Sequence, residues 1–345
     1  MRNYPQQFDS EEQLEDALSL PTPALIQMMK ELDGDFILLG VAGKMGVSMA
    51  RMAKQACNEA GVQKRIIGVS RFSVPEQQSF LEASGVETIK GDLLNIDFIN
   101  GLPQVKNVIY LAGMKFGTEG NESYTWAMNS FLPGLVVEKF KDSRIVAFST
   151  GCVYPLVKIV SGGSKESDTV GPVGEYAQSC LGRERLFEYG SVKNATSVVL
   201  IRLNYAVEMR YGVLVDIATK VHKQETIDLT MGYANVIWQG DANEMILRSI
   251  QYCNSPANHL NISGSGVISV AAVAKQFGEL MEKKVKFTGS EADSALLVNV
   301  SKGQELLGAP EVTVDQLIQW TAHWVGNDHR LLGKATHFEV RDGKY

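Results

Sequence analysis

FILLGVAGKMG, residues 36–46, is the stretch whose reading decides the fold. Four apolar residues, Phe36–Leu39, make a short strand with no polar face. The run Gly40-Val41-Ala42-Gly43-Lys44-Met45-Gly46 that follows is a GxxGxxG, and an Ala- and Met-rich helical pattern opens directly after it. A dinucleotide site needs glycine here. One allows the tight turn, one lets backbone N–H groups approach a pyrophosphate, and one lets helix and strand pack closely. The phosphates then sit at the positive end of the helix dipole. Three glycines alone are weak evidence and can serve packing only. Between a strand and a helix, at the head of a βα alternation, they point to a dinucleotide.

That alternation continues outward. Short β-branched runs fall at Arg65–Ser70, Val86–Lys90, Asn107–Ala112, Arg144–Ser149, Ser197–Leu203 and His259–Ile262, with helical patterns between them. Several are apolar throughout, as strands covered on both faces are. The expected class is α/β, a doubly wound parallel Rossmann sheet with a smaller C-terminal substrate lobe. The expected domains are a helical extension over 1–34, a dinucleotide-binding domain over 35–203 with a returning segment near 231–262, a substrate lobe over 204–230 and 263–326, and a tail over 327–345. In the extension, Thr22-Pro23 reads as a helix start, with Leu25, Ile26, Met28 and Met29 packing outside the sheet. The run 313–325 (TVDQLIQWTAHWV) makes a last amphipathic helix, its Trp320 and Trp324 turned to the body rather than forming a sugar platform. The polar tail reads as an arm or frayed end.

The 345 residues are 45% apolar and 21% charged, enough apolar material for a sizeable core. A net charge of −6 argues against nucleic acid as a partner. No apolar run is long enough to span a bilayer, and no basic n-region precedes an apolar one, so no membrane association and a cytoplasmic location are expected. The four cysteines form no CxxC pair and the five histidines no HxxxH or HxH, which predicts neither disulfides nor a metal.

The second strand ends Gly68-Val69-Ser70-Arg71 without the carboxylate that would receive a ribose 2′-OH. Ser70 and Arg71 suit a 2′-phosphate instead, so NADP is preferred and NAD is the alternative. Asp92, followed by Leu93 after the third strand, is placed to accept from an adenine amine.

At this point the chain resembles the extended short-chain dehydrogenase/reductases, the NAD(P)-dependent sugar epimerase/dehydratase family. The likeness runs from about Phe36 to Trp324. It rests on the glycine loop, Gly91-Asp92, Leu111-Ala112-Gly113, Asn129, the segment Phe148–Tyr154, Tyr176-Ala177-Gln178-Ser179, Asp241, and Asn261–Gly264. The resemblance implies cofactor contacts at Gly40, Gly43, Lys44, Met45, Gly46 and the Leu111–Gly113 run. It also implies catalytic roles for Thr150, which polarises the substrate oxygen, for Tyr176, the acid/base, and for Asn129.

One piece departs from the pattern. The family carries a Lys four residues after the Tyr, and here that position is Cys180. Bringing a Tyr from a pKa near 10 to about 7 takes roughly 4 kcal/mol of differential stabilisation, which a neutral thiol does not supply. Arg183, one turn further along the same face, is a candidate replacement, against its reading as a solvent-facing helix charge. Gly151-Cys152 stands where dehydratase relatives carry Asp-Glu, which puts that chemistry in doubt and leaves Cys152 as either an acid/base or a packing residue. Lys115, Asn204, Tyr205 and Arg210 fall where the family builds its substrate pocket, with Lys115 and Arg210 suited to clamp a carboxylate or phosphate, or else exposed loop charges. The short substrate lobe points to a small sugar, sugar acid or lactone. Helices near 125–141 and 176–190 would pair two copies of the chain through Leu132, Leu135, Val136, Leu181, Leu186 and Phe187. The expectation is therefore a homodimeric NAD(P)-dependent oxidoreductase or epimerase acting on a small carbohydrate alcohol. Its alternative is a catalytically impaired dinucleotide-binding sensor or scaffold of the same fold.

Overall fold

A computed structural model describes residues 2–115 and 117–343; Met1, Lys344 and Tyr345, at the outer ends of the expected extension and tail, lie outside the described residues. The central sheet has seven strands: β1 (Phe36–Leu39), β2 (Ile66–Ser70), β3 (Glu87–Lys90), β4 (Asn107–Tyr110), β5 (Arg144–Thr150), β6 (Ser197–Leu203) and β7 (Asn258–Ile262). Their order is β7-β6-β5-β4-β1-β2-β3, and every pairing is parallel. In register, Leu39 lies beside both Val69 and Tyr110, so β1, β2 and β4 release their loops at one height. Winding reverses between β1 and β4. The crevice at that switch point is where such a sheet receives a ligand.

The first helices are α1 (Glu11–Leu18) and α2 (Pro23–Glu31), capped by Ser10 and Thr22, whose hydroxyls accept from the N–H groups of Gln13 and Leu25. The sequence reading found only the second. Leu25, Met28 and Met29 join the core on one sheet face with α3 (Gly46–Glu59). Phe8, Leu14 and Leu18 instead enter the core of the substrate lobe, Phe8 lying 4.8 Å from the Trp320 ring. The extension therefore serves both cores, not the outside of the sheet alone.

Helices α4 (Pro75–Ala83) and α5 (Ile96–Gly101) follow β2 and β3. Next come α6 (Glu122–Trp126), a π-turn over Ala127–Phe131, α7 (Leu132–Lys139) and the long α8 (Gly174–Asn194). Leu132, Val136 and Phe187 are buried within this chain against β4 and β5, which corrects their assignment to a seam between copies. An amphipathic pattern names the apolar face but not what it meets. Exposed on these elements are Phe131 (52%), Tyr189 (63%) and Val192 (66%).

Beyond β6, the chain forms α9 (Val213–His222), α10 (Gln239–Arg248), α11 (Val270–Leu280), α12 (Ser301–Leu307) and α13 (Val314–Gly326). The first, third and last pack on one another around buried Trp320 and Trp324, while α10 returns to cover the sheet beside α3. The tail is no frayed arm. Trp324 Nε1 donates to Arg330 O, Leu332 N to Arg210 O, and Phe338 is buried in the lobe core. One aromatic, backbone bonds and side-chain bonds such as Thr336 to Asp216 hold a segment whose composition is polar.

Candidate active site

The crevice encloses about 270 Å³ between the glycine loop, the ends of β4 and β5, the head of α8 and the substrate lobe. Gly40 has φ +90°, and a Cβ there would lie 2.7 Å from Ala112 N. A Cβ on Gly46 would be driven into the Val41 carbonyl. Gly43 faces the crevice, with only Gly40 O near its missing Cβ, at 3.3 Å. Met45, the N-cap of α3, offers no side-chain cap to the first N–H groups. A backbone cradle next to those donors fits a pyrophosphate.

Lys44 reaches from this loop to the opposite wall. Its Nζ donates to Ala206 O at 2.9 Å and sits 3.8 Å from the centre of the Tyr211 ring. The residue is exposed in the open crevice, yet burial of its ammonium lowers the pKa to about 7, although the Glu208 carboxylate opposes this.

Across the crevice, β5 ends at Thr150, whose Oγ1 accepts from Cys152 N at 3.2 Å and stiffens the turn. Tyr176, in the first turn of α8, shares a hydrogen bond with Thr150. Burial, reinforced by the thiols of Cys180 and Cys152, pushes the Tyr176 phenol well above its ordinary pKa, while Arg183 and Thr150 pull it down. Arg183 does not face solvent. It is buried, lines the crevice, and donates to Phe148 O at 2.8 Å and Asn129 Oδ1 at 2.6 Å.

Asn129 does not line the crevice. It sits in the π-turn, where its Oδ1 also accepts from Met114 N (2.8 Å) and its Nδ2 donates to Met114 O (2.8 Å) and Ser179 Oγ (3.0 Å). A π-turn rotates one residue out of helical register, a device often found at sites. Here it brings the amide onto Arg183. Asn129 thus contacts Arg183 rather than the crevice itself.

No protein-family model and no curated protein sequence matches the chain. Solved structures do match. UDP-glucuronic acid 4-epimerase from Bacillus cereus aligns at 15% identity and a TM-score of 0.71, covering 86% of this chain and 100% of that one. dTDP-glucose 4,6-dehydratase from Bacillus anthracis, in complex with NAD, aligns at 15% and 0.72 over 85% and 97%. MoeE5, in complex with UDP-glucose and NAD, aligns at 17% and 0.68 over 85% and 99%. The chain has the fold of the extended short-chain dehydrogenase/reductases. At these identities the likeness is one of fold.

Within that fold the expected residues divide. Gly40, Gly43, Lys44, Met45, Gly46, Leu111, Gly113, Lys115, Thr150, Cys152, Tyr176, Asn204 and Tyr205 all line the crevice. Ala112 lies behind Gly40. Cys180 is fully buried among Val153, Tyr154 and Val298, outside the lining; burial pushes its thiol up to about 11, and it shares a hydrogen bond with Tyr176. Ser70 ends β2, Arg71 follows it, and Asp92 and Leu93 follow β3; none of the four lines the cavity. Arg71 Nη1 donates to Tyr124 at 3.1 Å, and Asp92 accepts from Leu94 N at 3.0 Å.

Arg210 is a correction. It pairs with Glu208, Glu11 and Glu15 and does not line the crevice, so its charge is engaged inside the protein rather than offered to the cavity. Glu11 and Glu15 come from the extension, a contact that no local pattern announces. Tyr205 stands in the left-handed region at φ +43°, a strained backbone kept in the crevice wall. Sequence reasoning missed Tyr211 and Thr336, which also line the site. The Tyr211-Gly212 pair, with Gly212 at φ +132°, carried a turn signal; Thr336 carried none. Glu184, Glu188 and His259 also approach one another, but Arg202, Ser149 and Arg185 already engage the acids, which makes the cluster an ion-pair network. Among the described residues, no helix is long and apolar enough to cross a membrane.

Proposed function

We propose that this chain binds a nicotinamide dinucleotide, NADP or NAD, and acts as an oxidoreductase or epimerase on an alcohol of a small carbohydrate or sugar acid. The observation that carries this reading is the meeting, in one crevice, of a Cβ-free glycine loop and the hydrogen-bonded Thr150–Tyr176 pair. The glycine loop and the uncapped start of α3 would hold the pyrophosphate, with Lys44 beside it. When bound, the nicotinamide supplies the hydride acceptor or donor. Thr150 holds the substrate oxygen. Burial keeps Tyr176 protonated, so its ready role is general acid, delivering a proton to a carbonyl oxygen during reduction. Arg183 supplies the positive charge that Cys180 does not, and Asn129 fixes its place.

Cys180 itself favours a second reading, a dinucleotide-binding sensor without turnover. Nicotinamide absorbance in the presence of sugars and sugar acids separates the two. Tyr176→Phe is expected to lower a detected rate by about 10² to 10⁴ while leaving dinucleotide binding within threefold. A rate that survives Tyr176→Phe overturns the proton-transfer assignment. For the partner we propose a second copy of this chain, docked on the face where Phe131, Tyr189 and Val192 are exposed.

A further inference from the structure

Residues 327–343 leave the end of α13 and cross the substrate side of the crevice. Thr336 N and Oγ1 both donate to Asp216 Oδ2, at 2.8 and 2.6 Å, and Lys115 Nζ donates to Thr336 O at 3.2 Å. Further on, Phe338 is 2% exposed in the lobe core, and Glu339 pairs with Lys220. Arg341 donates to Thr230 O at 3.2 Å and to Ser294 O at 2.9 Å. Gly343 packs against the backbone of Val173 and Gly174, at the head of the helix that carries Tyr176. The anchors lie on the loop after β4, on α9, on a turn and a two-residue strand (Ser294–Ala295), and on α8. A segment tied to both sides of a crevice narrows its mouth.

Thr336 lines the cavity that the segment roofs. That cavity, about 270 Å³, falls below the roughly 300–1,000 Å³ typical of small-molecule sites. The glycine loop lines the same space, so a ligand sharing it with the nicotinamide end of a dinucleotide has room for one ring. A ring bearing a nucleoside diphosphate needs further space, and the anchored segment borders the crevice at Thr336.

Charge narrows the class further. The Lys115 ammonium lies 5.9 Å from the centre of the ring of Tyr176, the proposed proton carrier. Among the described residues, Glu208 receives Arg210, and Asp216 accepts both bonds from Thr336. We propose that residues 327–343 are a strap that confines this site to a one-ring sugar acid, with Lys115 receiving its carboxylate. The inference rests on the dinucleotide-dependent reading for its chemistry, though the binding it predicts is read without cofactor.

Calorimetric titration of the intact chain with glucuronate, glucose and UDP-glucuronate, with and without NAD, tests it. Glucuronate is expected to bind at least 30-fold more tightly than UDP-glucuronate. Asp216→Ala, which releases Thr336, is expected to narrow that gap to within threefold, and Phe338→Ala serves as an independent release. Lys115→Met should weaken glucuronate at least tenfold and leave glucose within twofold. UDP-glucuronate binding the intact chain as tightly as glucuronate overturns the strap. Equal losses of glucose and glucuronate in Lys115→Met overturn the carboxylate assignment. An intact chain that takes neither free sugar at millimolar concentration overturns the ligand class. Absence of NAD binding would instead strike the oxidoreductase reading, while the cofactor-free titrations still judge the strap.

Discussion

The two rims of the crevice are built in opposite ways. The glycine rim comes from one contiguous stretch, Phe36–Gly46, whose strand, turn and helix start are fixed by local sterics. The substrate rim is assembled from Lys115, Thr150, Tyr176, Tyr205 and Thr336, which are scattered over more than half of the chain. A contiguous rim tolerates distant change and fails abruptly at its glycines. A composite rim changes specificity when any one anchor is released. The contrast suggests that cofactor grip and substrate choice can be altered separately.

The sharpest way to break the contrast is at Gly46. Overpacking a tight site costs about 1–3 kcal/mol, and with the Val41 carbonyl in the way Gly46→Ala should sit at the upper end, visible in urea unfolding. Dinucleotide affinity should fall more than 30-fold. Unchanged affinity would mean that the loop does not grip the phosphates.

Arg183→Met tests the composite rim next. It removes the bonds to Phe148 O and to Asn129 Oδ1, the latter keeping Met114 N as a donor, at a cost of about 1.5–3 kcal/mol, that of a hydrogen bond to a charged group. If the guanidinium serves Tyr176, kcat should also drop about tenfold with KM unchanged, and the alkaline limb of the pH–rate profile should move up. A purely structural role would lower stability and leave that limb in place.

Lys44 offers a smaller effect with a definite sign. Its pKa is lowered to about 7, so it is charged below that pH and increasingly neutral above it. An anionic dinucleotide prefers the charged form and raises the pKa on binding. Affinity should therefore be highest near pH 6 and weaken by up to about tenfold per pH unit above 7 while only the free form loses its proton. Lys44→Met should flatten the curve and remove the advantage at pH 6. The smallest effect belongs to Arg71, exposed and held by a single bond to Tyr124. If it reads a 2′-phosphate, Arg71→Ala should weaken NADPH about three- to tenfold, in the range of one exposed charge-assisted contact, and spare NADH.

What could be read in the sequence follows the same division. The seven strands of the sheet were legible because each is a short β-branched or apolar run, buried in all but the edge strand β3: Ser197–Leu203 and Phe36–Leu39 have the expected bounds, and the rest shift by one or two residues. Thr150 and Tyr176 were legible because a motif names them. Arg183 stayed ambiguous because an Arg on a helix face looks the same in a sequence whether a π-turn delivers an Asn to it or not. Arg210 misled because its three carboxylates come partly from Glu11 and Glu15, nearly 200 residues away. The strap was illegible: Thr336 and Phe338 sit in a polar run with no periodicity, and only tertiary contacts order it.

Fluorescence titration of the purified intact chain with NADH and NADPH, after a check for cofactor carried through purification, tests the dinucleotide site most directly. Saturable binding of at least one of them in the micromolar range is expected, weakened more than 30-fold by Gly46→Ala and retained by Tyr176→Phe. Failure of both to bind at millimolar concentration would contradict it and leave the fold without its proposed chemistry.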